Sequence, residues 1–145
     1  MDIATDQTTT DVVAAPAAEN FVHLHVHSEF SLLDGAIRID PLLARVKEFN
    51  MAAVALTDHG TMHGALEFYK KARKAGIKPI IGCECYVAPR TMADKTPQDH
   101  AGLTHLVLLA ETPEGYRNLC RLATAAWDGF YHKPRIDKQI LREYS

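Results

Sequence analysis

Imidazoles alternate with apolar side chains along Phe21-Val-His-Leu-His-Val-His27, and this spacing is the first chemical signal in the chain. At the two-residue period of a strand, His23, His25 and His27 share one face, and Val22, Leu24 and Val26 share the other. Imidazoles that close together on one face can share a metal ion, although a polar, solvent-facing strand has the same pattern. Further along, Asp58-His59 stands where the short apolar run Ala52-Ala-Val-Ala-Leu-Thr57 ends, and Glu84 lies between Cys83 and Cys85 in another apolar run. Parallel α/β folds gather reactive groups at the carboxyl ends of their strands, so these segments are expected to converge on one rim.

Neutral nitrogen and anionic oxygen donors together suit zinc, manganese or iron, whereas thiolate-rich structural zinc does not match the set. Divalent ions lower the pKa of bound water and neutralise charge on phosphoryl oxygens, which makes phosphoester hydrolysis the expected chemistry. An unpaired carboxylate at Glu84 would be costly in an apolar strand, so a cation is favoured there over a buried ion pair. Asp34 reads either as a ligand or as a turn residue bonded to nearby backbone. His105 opens the run His105-Leu-Val-Leu-Leu-Ala110 instead of ending it, which suits a rim poorly and leaves His100 as a rival. His23 and Asp58 read as outer partners that orient ligands, with simple packing for His23 and a helix cap for Asp58 as the alternatives. Cys83, Cys85 and Cys120 read as small core hydrophobes, and no Gly-rich phosphate cradle is present.

The elements that must position these groups follow from periodicity. A helix is expected over about residues 40–49, capped by Asp40 with Pro41 at its first position. A second is expected over about residues 62–75, with Leu66, Tyr69 and Ala72 on one side and Gly76 as its stop. Pro79–Ile81 and Cys83–Val87 read as strand, bent at Gly82, and a polar loop runs from Pro89 to about Thr104. After the His105 strand, Thr112-Pro113 opens a third helix with the stripe Tyr116, Leu119, Cys120, Ala123 and Trp127, and a short helix closes the chain near residues 137–144. This alternation predicts an α/β fold: parallel strands joined by right-handed crossover helices, too few to close a barrel.

Composition sets the bounds. A chain of 145 residues with 47% apolar and 23% charged residues supports one globular core. A net charge of -2 offers no bulk basic field for nucleic acid, so any DNA contact must be local. The run Lys70, Lys71, Arg73, Lys74 and Lys78 reads as a solvated helix face before a DNA track, and Lys133-Pro-Arg135 is open to either reading. An odd count of three cysteines without framework spacing points to reduced thiols and a cytoplasmic setting. No segment reads as a membrane span or an export signal, and Met1–Glu19 reads as a disordered extension.

Several motifs in order carry a resemblance: His23-Leu-His-Val-His-Ser28, Ser31-Leu-Leu-Asp-Gly35, Thr57-Asp-His-Gly60, Ile81-Gly-Cys-Glu84, His105-Leu-Val-Leu-Leu-Ala110 and Gly129-Phe-Tyr-His-Lys-Pro-Arg-Ile-Asp137. Together they resemble the start of the PHP domain that opens the alpha subunit of bacterial replicative DNA polymerase III, over roughly residues 20–145. The resemblance implies an incomplete PHP-type distorted (β/α)7 barrel, with residues 20–145 as its N-terminal part, cut before the later metal-ligand motifs. It implies up to three divalent ions: one on His25 and His27, a second reached by a bridging Glu84 and bound by His105, and a third on Asp34 and His59. It implies a metal-dependent 3′-5′ exonuclease whose catalytic groups are the metal ligands, acting on a primer-template or frayed 3′ end. DNA and replicase subunits would be partners of the full-length parent. Polymerase carboxylates are not expected in this segment, and the isolated chain is expected to be inactive. The alternatives are a free-standing PHP phosphatase acting on a small phosphomonoester such as histidinol phosphate, and a non-catalytic, metal-stabilised scaffold.

Overall fold

Helix-period and strand-period segments alternate in a computed structural model that describes residues 21–144. Their order is α1 (Ile39–Glu48), β1 (Ala53–Leu56), α2 (Ala65–Ala75), β2 (Lys78–Val87), α3 (Pro97–Ala101), β3 (Thr104–Leu109), α4 (Pro113–Asp128), β4 (Arg135–Ile136) and α5 (Lys138–Glu143). The extension expected over Met1–Glu19 lies outside the described residues. Among those residues, no helix is long and apolar enough to cross a membrane.

The ten-residue β2 is the spine of the sheet. Its first part pairs in parallel with β1, from Ala53 opposite Lys78 to Leu56 opposite Ile81. Its second part pairs with β3, from Gly82 opposite Leu109 to Val87 opposite Thr104, and β4 runs parallel to Tyr86 and Val87 on the other edge. The expectation of an all-parallel sheet is corrected at β3, which is antiparallel. The connection, residues 88–103, holds only the five-residue α3 and is tied by Arg135 and Asp137 near the end of β2, so the chain re-enters the sheet from that end. β2 runs unbroken through Gly82, where its partners change. A Cβ there would lie 2.5 Å from the Leu108 carbonyl oxygen and 2.9 Å from Thr57 Cγ2, so only glycine admits the approach.

The segment expected as a strand over residues 21–27 is a second correction. It lies beside β1 through Ala55 N–H to His23 O (2.8 Å) and Thr57 N–H to Val26 O (2.9 Å) but forms no regular strand. The Thr57 hydroxyl takes the Val26 N–H at 2.9 Å, so a side chain replaces a rung of the ladder. Val26 is buried and Leu24 is not.

α1 and α2 cover β1, bringing Leu43, Val46 and Phe68 onto Val54 and Leu56. α4 covers the other part of the sheet, packing Leu119, Leu122 and Ala126 against Cys83, Cys85 and Val87. Helix limits and faces depart from the periodic reading. α1 starts at Ile39 without a side-chain cap, and Asp40 sits inside its first turn, where it accepts a 2.7 Å bond from Lys71 Nζ and ties α1 to α2. Lys71 also pairs with Glu67, and with these partners its ammonium is pushed up to about 12, as expected of a solvated, paired helix face. α2 starts at Ala65 and buries Ala65, Phe68 and Ala72, leaving Leu66 and Tyr69 exposed. α4 likewise turns Tyr116 and Trp127 outward. The Gly76 stop, with φ of 75°, and the opening of α4 at Thr112-Pro113 follow the reading closely.

The Lys133-Pro-Arg135 segment divides between two roles. Arg135 is wholly buried and donates to the carbonyls of Gly129 (2.8 Å), Asp94 (3.0 Å) and Met92 (3.0 Å), fastening the loop after β2. That loop is also tied by Asp137, which accepts from the N–H groups of Met92 (3.0 Å), Gln139 (2.9 Å) and Ile140 (3.0 Å).

Two outcomes test these packing claims. Gly82→Ala is expected to lower stability by about 1–3 kcal/mol in urea unfolding, because the added methyl meets backbone. Burial works to raise the Asp137 carboxyl, but the N–H groups of Ile140, Met92 and Gln139 outweigh it and hold the group below its usual range. Its stabilisation is therefore full above about pH 4 and is lost as pH falls through the lowered value. Thermal melts of Asp137→Asn between about pH 2 and 5 are expected to show a shallower acid loss than the unaltered protein.

Candidate metal centre

Past Leu56 the chain continues as Thr57-Asp58-His59, and the ladder to β2 continues with it. His59 bridges in parallel to Glu84, Glu84 N–H donates to Asp58 O at 3.0 Å, and Gly60 N–H donates to Glu84 O at 2.8 Å. Strand alternation turns Cys83 and Cys85 toward α4 and Glu84 to the opposite face. Because β3 is antiparallel, its first residues lie beside the end of β2. The register His105 opposite Tyr86 and Val107 opposite Glu84 brings His105 to the Glu84 face. A histidine that opens its strand thus reaches the same rim as residues that end theirs.

Four imidazoles converge on the Glu84 carboxylate, whose side chain is only 3% exposed. Oε2 meets Nε2 of His25 and, at 3.1 Å, Nε2 of His27. Oε1 meets Nδ1 of His105 and, at 3.3 Å, Nδ1 of His59. The His27 and His59 rings stack 3.9 Å apart at 7°, and the His25 ring lies 4.8 Å from His27. On its far side, His59 Nε2 is 3.1 Å from Asp34 Oδ2. The donors form two groups that share Glu84: His25, His27 and Glu84, and His59, Glu84 and His105, each with its ligand atoms within 4.8 Å of one another.

The electrostatics suit a cation. Burial raises the Glu84 carboxyl, but the His25 hydrogen bond and the charges of His59 and His105 outweigh it and keep the group below the usual carboxylate range. Burial, and then His27, hold His59 below the ordinary imidazole value, so its ring is neutral near pH 7 and has a lone pair to donate. The Nδ1 atoms of His27 and His59 are buried without hydrogen-bond partners, a cost of about 1–3 kcal/mol each if nothing else meets them. One carboxylate charge cannot balance four protonated rings. Nitrogen and carboxylate donors converging in this way have the makeup of a divalent-cation site.

Asp34 arrives through a tight turn, with Asp34 N–H and Gly35 N–H donating to Ser31 O at 3.1 and 2.7 Å. A Cβ on Gly35 would lie 1.8 Å from the Ser28 carbonyl oxygen, so the turn requires glycine. Asp58 anchors that turn. Its buried carboxylate accepts from Ser28 N–H (2.6 Å), from the Ser28 hydroxyl (2.9 Å) and from the Ser31 hydroxyl (2.8 Å). Ser31 Oγ in turn accepts the His59 N–H at 3.1 Å. Asp58 therefore orients the site through serines and backbone, without touching an imidazole, and it does not cap α2, whose first turn has no side-chain cap.

Two expected positions lie elsewhere. The exposed His23 ring sits edge-on to Phe21 at 4.8 Å instead of backing the cluster, because the chain there leaves regular strand geometry. His100 packs on His132 at 4.8 Å, so His105 and not its rival stands beside Glu84. Sequence reasoning gave no role to Ser28, Ser31 or Tyr86. The serines had one signal, small hydroxyl residues three apart directly after the histidine run. Tyr86 had none beyond its place two residues after Glu84, and its ring lies 4.9 Å from His105 and 5.9 Å from His59.

Comparison with known proteins adds a family. Residues 23–145 match the PHP domain model. DNA polymerase III subunit alpha of Borreliella burgdorferi is 50% identical over 127 residues, covering 86% of this chain and 11% of the relative. The same subunit of Thermus aquaticus is 52% identical over 130 residues, with 86% and 11% covered. The chain thus spans about a tenth of the length of these relatives. Among solved structures, an amidohydrolase from Chromobacterium violaceum overlaps 74% of this chain and 34% of its own, at 25% identity and a TM-score of 0.48, a likeness too loose to bear on function.

Asp58→Ala is expected to cost about 2–4 kcal/mol in urea unfolding, because it orphans two serines and a buried N–H at once. Ser31→Ala is expected to cost about 1 kcal/mol, since the carboxylate keeps its other donors.

Proposed function

The chain belongs to the PHP domain family, and from that premise we propose that it is the N-terminal part of the PHP domain of a DNA polymerase III alpha subunit, a metal-dependent phosphoesterase that removes nucleotides from DNA 3′ ends. The observation that carries this reading is the buried Glu84 carboxylate shared by two groups of imidazole donors. His25, His27 and Glu84 would hold one divalent cation, and His59, Glu84 and His105 a second. Asp34 with His59 Nε2 offers a place for a third. Zinc, manganese and iron all suit this donor set. Bound divalent cations supply an acidified water and neutralise charge on the phosphoryl oxygens.

The chain's own residues do the positioning. Glu84, ionised and buried, holds the two groups at a fixed separation, and the Asp58 clamp on Ser28 and Ser31 fixes the turn that presents Asp34. The buried thiols of Cys83 and Cys85 lie on the opposite face against α4, so hydrolysis in this reading goes without a covalent cysteine intermediate. DNA and the other replicase subunits are the partners of the full-length protein, in the cytoplasm. The polymerase relatives favour this parent over a free-standing phosphatase.

The test uses the full-length gene product. Stepwise 3′-5′ degradation of a single-stranded oligonucleotide is expected with manganese or zinc and is expected to stop on chelation. Glu84→Gln is expected to lower the rate by at least about a hundredfold and to reduce bound metal. Unaltered degradation by Glu84→Gln would overturn the proposal. A wild-type protein that binds metal, melts lower on chelation and degrades nothing would favour the scaffold reading.

A further inference from the structure

Beside the histidine cluster lies a cleft of about 270 Å³, and two of its wall residues, Asp34 and His59, belong to the cluster itself. The rest of its wall is unlike the surface of an ordinary small domain. Leu32 and Leu33 are 88% and 84% exposed, and Trp127 is 56% exposed with Phe130 stacked on it at 5.4 Å and 4°. Large apolar side chains left outward around one concavity mark a binding site more often than a defect. One cationic group, Lys133, stands among them. Lys133 Nζ stands 5.2 Å above the Tyr86 ring, the same ring that touches His59 and His105. His63 and His132 add imidazoles to that wall, and His132 is held there at a φ of 59°, in the left-handed region. The segment is also fixed against the cluster: at Gly60, next to His59, a Cβ would meet Pro134 Cγ at 2.8 Å.

An exposed aromatic ring beside a cation is a means by which proteins hold single-stranded nucleic acid, since every base offers a face to stack on and every linkage a phosphate to neutralise. At about 270 Å³ the cleft is too small to take a duplex. Resting on the hydrolytic reading above, we propose that this cleft is the subsite for the 3′-terminal nucleotide of a single strand, with its base on Trp127 and its phosphate between Lys133 and the histidine cluster. Trp127 then selects for a nucleotide with a base over a bare phosphodiester, and the frayed end over paired DNA.

The experiment uses the full-length protein and an oligothymidylate ending in a 3′-terminal 5-iodouracil nucleotide, irradiated in chelator and in manganese, with the adduct mapped by peptide mass spectrometry. An adduct on Trp127 is expected. Trp127→Ala is expected to raise KM for removal of the 3′ nucleotide about tenfold, and Trp127→Phe to restore it to within about twofold, which a merely unfolded variant would not allow. With an oligonucleotide whose 3′ end is abasic, the difference between wild type and Trp127→Ala is expected to vanish. Hydrolysis with KM unchanged in Trp127→Ala and adducts mapping elsewhere would overturn the subsite. An adduct on Trp127 in a protein that hydrolyses nothing would keep the subsite and overturn the hydrolytic reading instead.

Discussion

A carboxylate taken out of water must be compensated where it lies, and Glu84 meets that constraint at the centre of this fold. It sits on a strand whose neighbouring positions, Cys83 and Cys85, are committed to the α4 core, so it cannot turn away to solvent without breaking the alternation of β2. What faces it instead are four imidazoles from three separate segments: His25 and His27 before the first turn, His59 after β1, and His105 at the start of β3. Much of the surrounding architecture follows from holding those rings in place. Gly82 lets β2 change partners just before Glu84, and the Asp58 carboxylate pins the turn that would otherwise release Asp34.

The chemistry of the centre was more legible in the sequence than the shape of the fold around it. His25, His27, His59 and Glu84 could be singled out because donor atoms of that type stood at strand spacing or at strand ends, and polar groups in apolar runs need a reason. His105 looked misplaced only because β3 was expected to be parallel. Strand direction depends on where the connecting segment re-enters the sheet, and the polar loop that hides the five-residue α3 stays at the end of β2. The way Asp58 orients the site was hidden for a related reason. Its partners, Ser28 and Ser31, lie about thirty positions earlier, and no local pattern links them.

Helix faces were misread in part. The stripes expected for α2 and α4 held Ala72 and Leu119, which go inward, but also Leu66, Tyr69 and Trp127, which face outward while Phe68 and Leu122 take the core. Periodicity states that a helix has an apolar side but not which of two overlapping sides meets the sheet. The outward residues then become informative, because an exposed indole stands on the wall of the cleft beside the histidine cluster. The Lys133-Pro-Arg135 segment teaches the same lesson in charge: Arg135 is spent on three carbonyls inside the protein, while Lys133 faces the cleft.

The account stands or falls on cations occupying the space between Glu84 and its four rings. Anomalous diffraction from crystals of the full-length protein grown with manganese tests this most directly. Peaks are expected on both sides of the Glu84 carboxylate, one reached by His25 and His27 and the other by His59 and His105. A map without anomalous density there, with the imidazoles protonated and bonded directly to Glu84 at neutral pH, would make the cluster a buried salt bridge and contradict the metal centre.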